Sequence, residues 1–231
     1  MLERYHRVAF AGMTQSGKTT FLREAVVPTL GKYVIYDPDY QFDSLVLPPH
    51  RARIVDNYME FQRLFPIYPR IVYQPRDEMM KDYEARIMEF EEICSDINGL
   101  NVGNLTFVID EIAYITFKRR QAVIPPNFQL MVARREKDPF RIGVYFTTQR
   151  PKHACVDLLT QCRHIYAFKL LNKDTRYVEE SFPIAINDLI QEVEDFSCVH
   201  YDVEEQSIKV ERWEKDRDFG EGTLITQDVD W

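Results

Sequence analysis

Apolar positions in this chain gather in short, near-continuous runs instead of strict alternation. "HRVAFAG" (6–12), "KYVIYDP" (32–38), "ARIVDN" (52–57), "RIVYQP" (70–75), "NLTFVIDE" (104–111), "RIGVYFTTQ" (141–149) and "HIYAFKL" (164–170) are of this kind. A strand covered on both faces of a parallel sheet has no polar face to display, so it reads in this way. Between the runs the period changes. Met80, Tyr83, Ile87, Phe90 and Cys94 follow an i, i+3, i+4 rhythm, which predicts one amphipathic helix over 77–97. Further helices are predicted from Lys18 to Pro28, over 127–138, and as a short piece in "ACVDLLTQC". Strands and helices in alternation imply βαβ units, hence an α/β fold with a mainly parallel sheet flanked by helices. Near the end, "FSCVHYDVEEQSIKVERW" (196–213) reads as a β-hairpin turning at Glu204-Glu205-Gln206. The rest of the C-terminus is charged with an apolar tip. It reads as a frayed end or, alternatively, as a docking arm for a neighbouring subunit. The expected organisation is one domain over 1–195, with the hairpin and tail of 196–231 packed on it.

Composition narrows this little. The 231 residues are 45% hydrophobic, enough for an ordinary core, and no window approaches the ~18 apolar residues of a membrane span. The N-terminus lacks the apolar run and cleavage site of a signal peptide, so a cytoplasmic location is expected. A net charge of −8 argues against a surface that coats nucleic acid, but not against a ring with a basic lining. Cys94, Cys155, Cys162 and Cys198 are scattered and read as reduced thiols. His153, Cys155, Cys162 and His164 could supply four zinc ligands, but their spacing fits no usual finger pattern.

The chemistry starts at "FAGMTQSGKT". Only 8 glycines occur in the whole chain, and two of them bracket four residues just before a lysine and a threonine. Gly12-x-x-x-x-Gly17-Lys18-Thr19 is the complete phosphate-binding P-loop pattern, with an apolar strand before it and a helix after it. The glycines let the backbone wrap an anion with its N–H groups, and the helix start favours the same negative charge. Gly12, Met13, Thr14, Gln15, Ser16, Gly17, Lys18, Thr19 and Thr20 are therefore the candidate ATP-binding loop. Within it, Lys18 reaches the β and γ phosphates and the Thr19 hydroxyl binds Mg²⁺.

Two further strand ends carry polar groups. "LTFVIDE" delivers Asp110 and Glu111 to the carboxyl end of its strand, where open α/β sheets bind ligands. Asp110 is expected to hold Mg²⁺ through water or Thr19, and Glu111 to act as general base on the attacking water. "VYFTTQRP" ends on Gln149 and Arg150. Gln149 is a candidate for the γ-phosphate or the water, and Arg150 for a phosphate contact.

Together, a P-loop, a strand ending Asp-Glu and a later strand ending Thr-Gln-Arg-Pro resemble the FtsK/HerA superfamily of P-loop ATPases, across roughly residues 6 to 183. The resemblance implies a RecA-like fold of the additional-strand, catalytic-glutamate type. It implies a homo-oligomer, expected as a hexameric ring, that moves double-stranded DNA through its pore. It also implies an arginine donated in trans, for which Arg135 and Arg134 are the first candidates and Arg141 the next. "EKDPF" is a longer insertion there than the family pattern has. Lys118, Arg119 and Arg120 could face DNA in the pore or simply form a solvated turn. Chromosome pumps, end-processing translocases and conjugation ATPases of this family carry further domains that 231 residues do not accommodate. The minimal form resembles genome-packaging ATPases of double-stranded DNA viruses with internal membranes, including archaeal ones. The expected setting is the host cytoplasm or the virion, with capsid or portal-vertex proteins as partners. A cellular HerA-like translocase, a non-translocating assembly switch and a small-molecule kinase are the alternatives.

Overall fold

In the computed structural model, the described residues are 6–100, 104–118, 121–133, 142–181, 187–194, 196–215 and 222–228. In chain order they form β1 (Arg7–Ala11), α1 (Lys18–Phe21), β2 (Lys32–Tyr36), β3 (Arg53–Val55), α2 (Tyr58–Leu64), β4 (Arg70–Tyr73), α3 (Asp77–Lys81) and α4 (Tyr83–Gly99). There follow β5 (Leu105–Ile109), α5 (Ala113–Thr116), β6 (Phe117–Lys118), β7 (Gln121–Ala122), α6 (Pro126–Ala133), β8 (Ile142–Thr148) and α7 (Val156–Leu159). The last are β9 (His164–Ala167), α8 (Asn172–Ser181), α9 (Asn187–Glu192), β10 (Ser197–Asp202), β11 (Ser207–Lys215) and β12 (Gly222–Asp228).

Ten strands form one sheet in the order β12-β11-β10-β9-β1-β8-β5-β2-β4-β3. From β9 to β3 every pairing is parallel; β10, β11 and β12 add on antiparallel. The strand β8 separates β1 from β5, which is the additional strand expected between the two phosphate-site strands. Each parallel strand sends alternate residues to opposite faces, and both faces are apolar. Ala9, Tyr36, Phe107 and Phe146 pack against α2, α4 and α6 on one side. Phe10, Ile35, Val108 and Tyr145 pack against α1 and the turns beyond it on the other. Two covered faces explain the near-continuous apolar runs.

Three elements depart from the sequence reading. The helix predicted from Lys18 to Pro28 is α-helical only to Phe21; Leu22–Val26 is a π turn and Val27–Thr29 a 3₁₀ turn. Pro28 has no N–H to continue an α-helix, and β-branched Val26 and Val27 precede it. The helix predicted over 77–97 is two helices. Asp82 leaves helical geometry and its carboxylate accepts from the N–H groups of Glu84 and Ala85, capping α4. The stretch read as a frayed tail contains β12, which pairs with β11 from Lys209↔Asp228 to Lys215↔Gly222.

Where the antiparallel strands join the parallel ones, imidazoles form a chain. His164 Nε2 lies 2.7 Å from His6 Nδ1, His164 Nδ1 lies 3.1 Å from His200 Nε2, and His200 Nδ1 lies 2.7 Å from Glu211 Oε1. Burial, and then His200, hold His164 well below its ordinary value, so it is neutral at pH 7. Cys162, a candidate ligand on sequence grounds, instead turns its Sγ to the Leu158 carbonyl at 3.4 Å.

Candidate functional site

The loop after β1 is held from both sides. Gly12 N–H donates to Thr148 O (3.0 Å) and Met13 N–H to Lys169 O (2.9 Å), so the ends of β8 and β9 anchor its start. A Cβ on Gly12 would overlap Ser16 Oγ and lie 2.7 Å from Phe168 Cβ. Gln15 and Gly17 take left-handed φ values of 65° and 93°, which bend the loop into α1. Thr14, Gln15, Gly17, Lys18, Thr19 and Thr20 thereby line a cleft of about 340 Å³, facing Asp110, Glu111 and Gln149 across it.

The acids sit at the carboxyl end of β5 and one hydroxyl organises both. Thr147 Oγ1, at the end of β8, donates to Asp110 Oδ1 (2.8 Å) and accepts from the backbone N–H of Glu111 (2.7 Å). Thr19 Oγ1 also donates to Asp110 Oδ1 (3.2 Å), linking the loop to β5. Glu111 has φ 48°, an uncommon conformation for a glutamate, and its Oε2 accepts from Gln149 N–H at 3.0 Å. The Gln149 side chain points the other way, and its Oε1 accepts from Thr14 Oγ1 at 2.8 Å. Replacing Thr147 by valine keeps the shape but leaves the buried Glu111 N–H without an acceptor. The expected cost is about 1–3 kcal/mol of folding stability, read by denaturant titration.

Three ionisable groups are crowded here with little water. Lys18, Asp110 and Glu111 are 7%, 3% and 8% exposed. Burial pushes Asp110 up to about 6, against the Thr147 hydrogen bond. Burial pushes Glu111 up to about 7, against the Lys18 charge and the Gln149 N–H. Burial lowers Lys18, against the pull of Glu111, Asp110 and Asp39. Such a site gains from a ligand that brings both negative phosphate and a positive ion. The Thr19 hydroxyl and the Asp110 carboxylate are adjacent hard oxygen donors, the donor type Mg²⁺ takes, so the residues present fit that ion.

No protein-family model and no curated protein matches the sequence. Solved structures do match the fold. The genome packaging NTPase B204 from Sulfolobus turreted icosahedral virus 2, in complex with AMPPCP, superposes with TM-score 0.68 at 17% identity, over 90% of this chain and 97% of that one. B204 from Sulfolobus turreted icosahedral virus, a DNA-packaging ATPase, gives 0.63 at 19% identity over 90% and 98%. VirB4 of Thermoanaerobacter pseudethanolicus gives 0.62 at 7% identity over 97% and 89%. The chain shares the fold of these structures, a mainly parallel sheet flanked by helices.

Within this fold, the structure brings together Thr14, Gln15, Gly17 to Thr20, Asp110, Glu111 and Gln149. Gly12, Met13 and Ser16 shape the loop without lining the cleft. Arg150 is exposed and also stays out of the cleft; its backbone N–H donates to Thr148 Oγ1 (3.2 Å), whose hydroxyl donates back to the Arg150 carbonyl (3.0 Å). Arg134, Arg135 and Arg141 lie outside the described residues, as do Arg119 and Arg120. Asp37 is structural: it accepts from Gln41 N–H, Phe42 N–H and Gln74 Nε2 at 2.8–3.0 Å. Sequence reasoning missed the double role of Thr147 and missed Asp39, which lines the cleft and accepts from Tyr114 OH at 3.0 Å. The signal for Thr147 was faint: it is one of two threonines that end the buried strand beside Asp-Glu.

Proposed function

We propose that this protein is an ATP-driven translocase of double-stranded DNA, in the role of a viral genome-packaging motor. The observation that carries the reading is the continuous hydrogen-bonded path Thr19–Asp110–Thr147–Glu111–Gln149–Thr14, which borders the cleft of about 340 Å³. A path joining loop, metal-site acid, base and sensor suits water activation coupled to motion. The fold match to packaging NTPases over nine-tenths of this chain supports the packaging role.

In this reading Gly17 to Thr20 and the Lys18 ammonium hold the triphosphate. Thr19 and Asp110 hold Mg²⁺, which when bound neutralises charge on the β and γ phosphates. Glu111 takes the proton from the attacking water, and Gln149 orients that water or the γ-phosphate. A ring, expected as a hexamer, supplies Arg135, Arg134 or Arg141 in trans to the transition state. The basic cluster Lys118, Arg119 and Arg120 is the stretch of sequence we assign to DNA phosphates. Capsid or portal-vertex proteins would receive the ring in the host cytoplasm.

The test is ATP hydrolysis by the full chain with and without long double-stranded DNA. We expect a several-fold rise that weakens as salt increases. Equal rates with and without DNA, in a preparation shown to be oligomeric, would overturn the translocase reading in favour of a nucleotide-dependent assembly switch.

A further inference from the structure

Phe196 is an exposed aromatic residue held against the phosphate loop. It lies 48% exposed just ahead of β10, in the left-handed region at φ 63°. Were Gly17 to carry a Cβ, that atom would lie 2.9 Å from Phe196 Cδ1 and 3.2 Å from its Cα. The ring is therefore in contact with the last glycine of the loop, and that glycine lines the cleft. Its backbone is fixed on both sides: Phe196 O accepts from Trp213 N–H (3.3 Å) and Ser197 N–H donates to Glu194 O (3.1 Å).

This combination is costly for the protein alone. A bulky residue in the left-handed region is strained, and asparagine or glycine would be at ease there. Half-exposed, the ring recovers little of that through burial. Strain kept at an exposed position beside a binding cleft is the pattern expected of a ligand contact. In the nucleotide-binding reading the nucleoside end of a triphosphate extends beyond the phosphate cleft, and Phe196 is an exposed aromatic residue touching the loop that lines it. A flat, exposed π face is what an aromatic base stacks on.

We propose that Phe196 is the base-stacking platform of the nucleotide site, so that the C-terminal strand unit, not the loop, binds the purine. This rests on the nucleotide-binding reading of the P-loop. Stacking on an aromatic side chain tolerates different bases, so the ring adds affinity for nucleosides over bare phosphate and leaves purine choice to other contacts.

The experiment measures equilibrium binding of Mg·ATP and of Mg·tripolyphosphate to the full-length chain by calorimetry. The chains compared are the wild type, Phe196→Gly, Phe196→Leu and Phe196→Tyr. Gly removes both ring and strain, Leu keeps apolar bulk without a flat face, and Tyr keeps the face. We expect Phe196→Gly and Phe196→Leu to bind ATP about tenfold more weakly and tripolyphosphate within twofold of wild type, with Phe196→Tyr close to wild type for both. Thermal unfolding of Phe196→Gly should show no loss of Tm, because the strained φ is relieved. Parallel losses for ATP and tripolyphosphate, or no loss for either, would overturn the platform while leaving the P-loop reading intact. A wild type that binds neither ligand would instead sink the nucleotide-binding reading itself.

Discussion

Glu111→Gln is expected to lower ATP hydrolysis by at least about 10³-fold while ATP binding stays within a few-fold of wild type. The substitution is nearly isosteric, and the amide oxygen can still accept from Gln149 N–H, as Glu111 Oε2 does at 3.0 Å. What is lost is the ability to accept a proton. Burial lifts Glu111 to about 7 in the unliganded protein, so this carboxylate, the proposed base, is half-protonated near neutrality. In the wild type, kcat/KM should therefore fall as pH drops through 7, approaching tenfold per unit below it. A pH profile of the wild type checks this, and residual activity in Glu111→Gln should lack that limb. If Glu111→Gln retains a tenth of wild-type turnover, another group is the base.

Asp110→Asn should act in opposite directions on stability and activity. Asp110 is 3% exposed, and its pKa stands at about 6 instead of the usual 3.8. A carboxylate raised in the folded state holds its proton longer there than in the unfolded chain. Its contribution is fully present below about pH 4 and is lost as pH rises through about 6. At pH 7 to 8 the ionised group therefore weighs against the fold by on the order of 3 kcal/mol. The amide keeps an oxygen for the Thr147 and Thr19 hydroxyls and carries no charge. Denaturant titration should find Asp110→Asn more stable than wild type at pH 7.5 and nearly equal to it at pH 4. Hydrolysis should fall by two or more orders of magnitude, because the carboxylate proposed to hold Mg²⁺ is gone. A variant less stable than wild type at pH 7.5 would show that the charge is compensated in the free protein. The trade, stability spent on a charged site, is common where function needs strained groups.

The parts of this site that were legible in the sequence are those fixed by local geometry. A glycine-bracketed loop must sit between strand and helix, and residues at a buried strand's carboxyl end must face the ligand edge. Lys18, Asp110, Glu111 and Gln149 follow from those two constraints, and the structure places them around one cleft. What was not legible depends on partners distant in sequence. β12 has exposed side chains from Thr223 to Asp228, and only its pairing with β11 makes it a strand. The break at Asp82 is invisible to periodicity, because the apolar rhythm of 77–97 continues across it while the capping carboxylate ends one helix and starts the next. Thr147 reads as an ordinary strand residue until β8 is known to lie beside β5. Phe196 reads as a hairpin hydrophobe, since nothing local shows that it meets Gly17, 179 positions earlier.

Gln149 has a consequence of its own. Its side chain touches the loop through Thr14, and its backbone N–H donates to the Glu111 carboxylate. One residue thus samples two variables: whether the loop is reshaped, and whether the carboxylate carries charge. It is a two-input junction, and it sits at the head of the segment that runs through Pro151 into α7 and β9. Any displacement carried along that route starts from a residue that is bonded both to the loop and to the Glu111 carboxylate.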